Sequence, residues 1–414
     1  MMKVKDSGVS YIGNIPISWY TKKIKYVAVE CSESGLMNPK ESQYIGLENI
    51  VGYSNRIIIT DTEYELSIQK RCYKDNILFG KLRPYLSKVV IAPYDGFCTG
   101  EFLELTKYKG DIRFLRYSLL NANLIDTINM STYGAKMPRA NSEFIMNCCI
   151  AYPTYNEQKI ISDFLDTKCE EIEALSMDIQ AEIDTLEEYK CSVIIEKVTK
   201  GLNPDAAMKD SCIEWIGMIP SSWNIHPVYY YYGERKAKNY DLKEQNLLSL
   251  SYGKIIRKDI NASGGLLPAN FSTYNIVEAG DIIIRSTDLQ NDKRSLRTGL
   301  VTEHGIITSA YIDLMPKSGV NSKYFHYLLH AYDIMKVFYN MGNGVRQGLN
   351  YSEFSKLMVI APSREEQQKI VDYLDNKCEQ IDSIIETKKQ QLTVLDEYKK
   401  TIIYEYVTGK KEVV

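Results

Sequence analysis

The residues of this chain with the clearest chemical potential are cations set among aromatics and glycines. One cluster runs from Lys70-Arg71-Cys72-Tyr73-Lys74 to Lys81-Leu82-Arg83-Pro84-Tyr85 and Lys88, and a second is the loop Tyr133-Gly134-Ala135-Lys136-Met137-Pro138-Arg139. Later, Arg285 precedes Asp288-Leu289-Gln290-Asn291-Asp292-Lys293-Arg294 and Arg297, and a glycine loop reads Gly342-Asn343-Gly344-Val345-Arg346-Gln347-Gly348. Arginine and lysine hold phosphates, arginine with asparagine or glutamine matches base edges, and glycine lets a backbone approach a ligand closely. A solvated basic loop has the same composition, so each cluster taken singly stays open to both readings. Their recurrence at matching places in the two halves of the chain favours nucleic-acid contact. The candidates are Lys81, Arg83, Tyr85, Lys88, Tyr133, Gly134, Lys136 and Arg139, then Arg285, Lys293, Arg294, Arg297, Gly344, Arg346 and Gln347.

Catalytic signatures are missing from the sequence. Gly80-Lys81, Gly253-Lys254 and Gly409-Lys410 all lack the first glycine of a phosphate-binding loop, so no nucleotide-driven motor is evident. There is no Gly-x-Ser-x-Gly, no His-Glu-x-x-His and no Asn/Asp-Pro-Pro-aromatic motif of an amino-methyltransferase. His326 and His330 have the i, i+4 spacing of a helical metal pair, but the positions matching them in the first half are Arg116 and Leu120. A packing pair is the plainer expectation, and no metal site is expected. Nine cysteines without a C-x-x-C pair fit reduced thiols, and no apolar run approaches the roughly 18 residues of a membrane span. The first residues lack an apolar leader, so a cytoplasmic protein is expected.

The chain repeats itself at half its length of 414 residues. Asp6-Ser7 and Ile12-Gly13-Asn14-Ile15-Pro16-Ile17-Ser18-Trp19 return as Asp210-Ser211 and Ile216-Gly217-Met218-Ile219-Pro220-Ser221-Ser222-Trp223. Pro153, Glu157-Gln158, Asp163, Leu165-Asp166 and Lys168-Cys169-Glu170 return as Pro362, Glu366-Gln367, Asp372, Leu374-Asp375 and Lys377-Cys378-Glu379. Glu188-Tyr189-Lys190 likewise faces Glu397-Tyr398-Lys399. Roughly two positions in five are identical over this tail, too many for chance. Between the echoes the halves diverge but stay alignable, so the frame is shared and the loops differ.

Each half opens with an Ile-Pro-x-x-Trp segment too rich in breakers for a helix. Short β-branched runs follow at 57–60, 77–79 and 89–91, and at 247–250, 282–284 and 305–307, with helices expected at about 111–130 and 321–340. Each tail then carries apolar residues at spacings of three and four over about 40 residues, a helix of roughly 60 Å with a coiled-coil seam. The expected seam holds Ile172, Leu175, Ile179 and Leu186 in one tail and Ile381, Ile384, Leu395 and Ile402 in the other. Neither stripe is stable alone in water, so the simplest partner of each helix is the other. The expected division is 1–152 for the first mixed α/β domain, 153–204 for the central helix, 205–361 for the second domain and 362–414 for the last helix.

Charge follows the same division. The formal net charge of −3 argues against a uniformly basic nucleic-acid binder. Residues 157–200 hold about 12 acidic and 5 basic side chains, and 365–411 about 10 and 8, which leaves the remainder near +6. The acid lies on the helices and the domains are net basic.

In its duplicated Ile-Pro-x-x-Trp, Pro-x-x-x-Glu-Gln and Glu-Tyr-Lys motifs, the whole chain resembles the specificity subunit of a type I restriction–modification system. Phe79-Gly80-Lys81-Leu82-Arg83-Pro84-Tyr85-Leu86 and Thr99-Gly100-Glu101-Phe102 also resemble the variable domains of that family. The resemblance implies an α/β (α+β) fold with an internal pseudo-twofold repeat. Two target-recognition domains would be joined by two long helices forming an antiparallel coiled coil. Each domain would read one half of a bipartite, asymmetric site in double-stranded DNA, with the helix pair as spacer. It further implies a non-catalytic chain. Methyltransferase subunits, two of them, would dock on it, and restriction (motor) subunits would join them. S-adenosylmethionine and ATP would be bound by those partners and no cofactor by this chain. Two rivals remain at this point: a scaffold whose domains bind something other than DNA, and a metal-dependent enzyme built on His326, His330 and Asp333.

Overall fold

The computed structural model describes residues 3–38, 42–58, 67–134, 136–260, 268, 270–287, 296–341 and 348–413. The chain forms two compact units, Met1–Ala181 with Lys388–Val414, and Glu182–Thr387. Each unit therefore contains part of both long helices, Tyr155–Lys200 and Arg364–Val407.

In the first unit, the head motif forms an antiparallel hairpin of Val4–Asp6 with Asn14–Pro16. The four-stranded sheet behind it runs in the order Val29–Cys31, Phe102–Thr106, Ile77–Gly80, Val89–Ile91, all antiparallel. Alternation sorts its side chains to two faces. Ile77, Phe79, Leu103 and Leu105 face a core shared with Phe114, Leu115 and Ile125, and with Ile161, Leu165, Ile172, Ile402 and Ile403 of the long helices. Leu78, Val90 and Phe102 face a smaller core with Ile45, Cys72 and Cys98. That second core lies under another sheet, ordered Ser34–Met37, Ser67–Cys72, Gly96–Cys98, Tyr44–Ile45. The helix expected at 111–130 is two helices, Ile112–Leu119 and Ala122–Met130, because the Asn121 side chain accepts from the Asn123 amide and starts a new one.

The second unit repeats the plan. Met208–Asp210 pairs with Met218–Pro220, and the four-stranded sheet runs Tyr232–Glu234, Ile312–Pro316, Ile282–Ile284, Thr298–Leu300. Ser322–Ile334 covers one face through Tyr324, Phe325, Leu328 and Leu329. Ile283 lies on the other face, with Leu248, Val277 and Ile307. Of the short strands expected from sequence, the run at 57–60 differs: Ile57 makes only an isolated bridge to Ile50, and residues 59 and 60 lie outside the described residues.

The shared motifs have matching physical roles. Trp19 Nε1 donates to Glu157 Oε1 at 3.0 Å, and Trp223 Nε1 donates to Glu366 Oε1 at 3.1 Å. Each clasp ties a head hairpin to the first turn of a long helix. Gln158 and Gln367 each donate to the proline carbonyl five residues earlier, at 3.0 Å in both units, which seals the same turn. Tyr117 Oη donates to Asp166 at 2.7 Å and Tyr327 Oη to Asp375 at 2.9 Å, fastening the covering helix to the long one.

Within each unit the two long helices run antiparallel. In the first, Phe164 packs on Tyr406 and Lys399 Nζ meets Glu173 Oε1 at 2.6 Å; in the second, Lys190 Nζ meets Asp382 Oδ1 at 2.7 Å. Lys190 and Lys399 end the two Glu-Tyr-Lys motifs, and Glu173 and Asp382 are equivalent in the repeat. One ion pair is thus made twice with the helices exchanged.

The seam needs two corrections. Ile172, Ile179, Ile381 and Ile402 are buried, and Leu186 and Leu395 are half-buried, but Leu175 and Ile384 are each 47% exposed. Ile385, next to Ile384, is buried instead, and Ile183 is a further buried position of the central helix. At 3.6 residues per turn only one of the adjacent Ile384 and Ile385 can point inward, and the geometry selects the second.

The duplicated ion pairs differ in burial, with side chains 8% and 25% exposed at Lys399 and Glu173 but 28% and 49% at Lys190 and Asp382. Lys399→Ala strands a poorly solvated carboxylate and is expected to cost about 3 kcal/mol, whereas Lys190→Ala costs less than about 1 kcal/mol. Urea unfolding of both variants measures the difference; equal losses would contradict it.

Candidate nucleic-acid interface

In the first unit the two basic segments that are separate in sequence form one platform. The strand Ile77–Gly80 ends at Lys81, whose amide donates to Glu101 O and whose carbonyl accepts from the Ala140 amide, both at 2.9 Å. The Arg83 amide then donates to Pro138 O at 2.7 Å. Tyr133 and Arg139 exchange backbone hydrogen bonds of 3.3 and 3.1 Å, closing the glycine loop into a small hairpin. Gly134 sits there at φ +95°, and an added Cβ would lie 3.1 Å from Met137 O. Both the left-handed backbone and the close approach call for glycine. Arg83 and Ser87, each at φ 51°, bracket the one-turn helix Pro84–Leu86 and turn Tyr85 outward.

Arg83, Tyr85, Tyr133, Lys136 and Arg139 are all exposed on these joined loops. Arg139 makes an ion pair with Glu101, which fixes the direction of its guanidinium. Lys81 is half-buried, and burial, with Lys70 nearby, pulls its ammonium below the usual lysine value. Lys88 stands apart. Its Nζ donates to Leu47 O at 2.6 Å, so it also braces a neighbouring loop. Sequence reasoning passed over Glu101 as a site residue, because the cation it orients, Arg139, is brought beside it only by the fold.

In the second unit Arg285 is exposed where the strand Ile282–Ile284 ends, and the Leu349 amide donates to Ser286 O at 2.9 Å, the same tie that Ala140 makes to Lys81. Arg297 requires correction. It is 1% exposed, and its Nη1 donates to Arg285 O at 3.2 Å and Thr287 O at 2.7 Å, so it organises the loop from inside. Lys293, Arg294, Gly344, Arg346 and Gln347 lie outside the described residues.

His326 and His330 sit inside the second unit with ring centroids 6.4 Å apart. Burial, then the neighbouring charge of His330, pushes His326 down to about 4, and burial pushes His330 to about 4. Asp333, the third member of that constellation, accepts from the Arg297 amide at 2.8 Å. Among the described residues no group of three or more His, Cys, Asp or Glu is arranged to hold a metal ion.

A family model for the type I restriction modification DNA specificity domain matches residues 16–185 and 233–394. The chain belongs to this family. The specificity subunit of the type I restriction enzyme EcoDI from Escherichia coli is 28% identical to it over 92 residues. That match spans 22% of this chain and only 20% of the relative. A solved structure described as showing complex assembly and conformational transition of the type I R-M system has the same fold. It aligns at a TM-score of 0.69 and 15% identity, over 96% of this chain and 99% of its own. The HsdS subunit from Thermoanaerobacter tengcongensis aligns at 0.48 and 15% identity, over 96% and 98%. The specificity-domain fold of this family thus occurs twice here, on the frame that the sequence repeat outlines. Among the described residues no helix is long and apolar enough to cross a membrane.

The two histidines supply a pH test. Their folded-state values of about 4 lie below the ordinary histidine value of 6.5, so the unfolded chain binds more protons between these limits. Stability is then unaffected above pH 6.5 and lost as pH falls toward 4. At pH 5 the loss is about 2 kcal/mol per histidine. Thermal unfolding at pH 7 and pH 5 measures it, and His330→Leu, the first half's residue, should shrink the difference; an unchanged difference would contradict the assignment.

Proposed function

We propose that this chain is the DNA-reading, non-catalytic specificity subunit of a type I restriction–modification complex working in the cytoplasm. The observation that carries this reading is the first unit's platform. Two loops more than 50 residues apart in sequence are hydrogen-bonded together and present Arg83, Lys136 and Arg139 with Tyr85 and Tyr133. Exposed cations and tyrosines on a braced backbone suit phosphates and base edges.

Each recognition domain, 1–152 and 205–361, reads one half of a split site, and the long helices set the interval between the halves. The loops are unlike in the two domains, so the half-sites differ. Arg285 marks the corresponding edge of the second domain, with Lys293, Arg294, Gly344, Arg346 and Gln347 as its proposed contacts. Methyltransferase subunits bind the helices and domains and modify adenine; restriction subunits join for cleavage. S-adenosylmethionine and ATP belong to those partners. The rival built on His326, His330 and Asp333 is disfavoured because Asp333 is engaged by the Arg297 amide and, among the described residues, no group of three or more His, Cys, Asp or Glu is arranged to hold a metal ion.

Point variants test the reading. Arg139→Ala or Lys136→Ala should weaken binding when the first half-site is present, by about 1–3 kcal/mol for a base contact, and leave recognition of the second half intact. Equal loss at both half-sites would count against independent readers. Arg297→Ala should instead lower stability by about 3 kcal/mol through loss of a buried, hydrogen-bonded cation. Binding should fall steeply with salt, about a thousandfold between 50 and 200 mM for six or more phosphate contacts, as counterions are released. A scaffold with non-DNA domains would show no such slope.

A further inference from the structure

The two Trp–Glu clasps are alike inside and unlike outside. Around Trp19 and Glu157, Ile17 is 53% exposed, Tyr20 66%, Tyr155 60% and Ile160 52%. The residues at the same places around Trp223 and Glu366 are Ser221, Asn224, Arg364 and Lys369. Four large apolar side chains in one copy are four polar or charged ones in the other. Beside the first clasp a groove of about 630 Å³ is lined by the apolar Ile17, Trp19, Ile160 and Val413, with Lys411 and Glu412 also on its wall.

Charge differs as well. Lys3 lies at the groove, Lys5 Nζ sits 4.8 Å from the Tyr20 ring and Lys22 Nζ 4.0 Å from the Tyr152 ring. Among the described residues no carboxylate forms an ion pair with Lys3, Lys5 or Lys22. Their counterparts are Ala207, Lys209 and His226, and Lys209 Nζ is taken up by Trp223 O at 2.6 Å. Arg364 is likewise held by Gly319 O, and Lys369 pairs with Glu365 at 2.7 Å. At these positions the second face carries small, polar or already engaged side chains, although Met208 and Met218 of its hairpin are exposed, while the first keeps both apolar surface and lysine charge facing outward.

We propose that the face around the Trp19–Glu157 clasp is a docking surface for an amphipathic segment of a partner protein, with apolar side chains for the groove and carboxylates for Lys3, Lys5 and Lys22, and that the matching face of the second unit is not. An exposed apolar patch rimmed by charge fits protein contact, and lysines that lack an ion-pair partner favour acid. The consequence rests on the proposed complex only for who supplies the segment. Two identical methyltransferase subunits meeting this chain find unequal faces, so one binds more tightly than the other.

The test exchanges residues between the copies. In the full chain, Ile17→Ser, Tyr20→Asn, Tyr155→Arg and Ile160→Lys install only side chains that the second unit already carries at those places. The probe is a type I methyltransferase subunit from the same genome, titrated against this chain and followed by native mass spectrometry. The wild type is expected to fill in two steps of different affinity, with the tighter step weakened at least about tenfold in the fourfold variant and the weaker one unmoved. First-half-site DNA binding by the variant, unchanged, shows that it is folded; if it is lost, the pair Ile17→Ser and Ile160→Lys replaces it. Two equal steps in the wild type, or a variant that titrates like it, overturns the inference while leaving the proposed function intact. A wild-type chain that binds no methyltransferase and directs no methylation overturns that function itself.

Discussion

Neither long helix can bury its apolar stripe unaided, and the rest of the molecule follows from that constraint. Each compact unit completes its core by taking one stretch of its own half's helix and one stretch of the other half's. Ile402 and Ile403 close the first core, and Val193, Ile194 and Val198 close the second. A helix with a stripe of this length is stabilised by tertiary packing more than by propensity, so it forms only where that packing is available. The exchange also ties the two halves of the sequence together: the last residues of the chain are part of the first unit's core.

On that base, a small set of polar contacts fixes geometry that apolar packing leaves loose. Apolar stripes can slide by a turn, whereas an ion pair such as Glu173–Lys399 is satisfied at one register. Ser54 Oγ donates to the second oxygen of Glu173 at 3.1 Å, so the same carboxylate also pins a loop of the first domain. The clasps at Trp19 and Trp223 do the corresponding work at the heads. A reader of DNA needs its loops held to a rigid support, and these contacts supply it in both units from the most strongly repeated residues.

Much of this was legible in the sequence because it is periodic or duplicated. The repeat predicted two similar units, the three-and-four spacing predicted the helices, and Ile-Pro-x-x-Trp with Pro-x-x-x-Glu-Gln marked two residues that prove to be bonded to one another. What escaped depends on contacts between distant segments. Ile384 and Ile385 are equivalent in any spacing rule until a partner helix chooses between them. Arg297 and Lys88 look like loop cations, but one is enclosed by its own loop's carbonyls and the other is drawn to Leu47 O. The role of Glu101 is visible only once Arg139 is brought beside it from 38 residues away.

The central claim is that each domain reads its own half of a divided DNA site. The most direct measurement is long-read mapping of methylated adenine in cells that express this chain with a type I methyltransferase subunit from the same genome. The same mapping is then repeated after residues 20–150 are exchanged for those of another family member. A bipartite motif in which the exchange rewrites one half and leaves the other and its spacer unchanged is the expected result. A motif that changes in both halves, or methylation with no bipartite motif at all, would contradict the account.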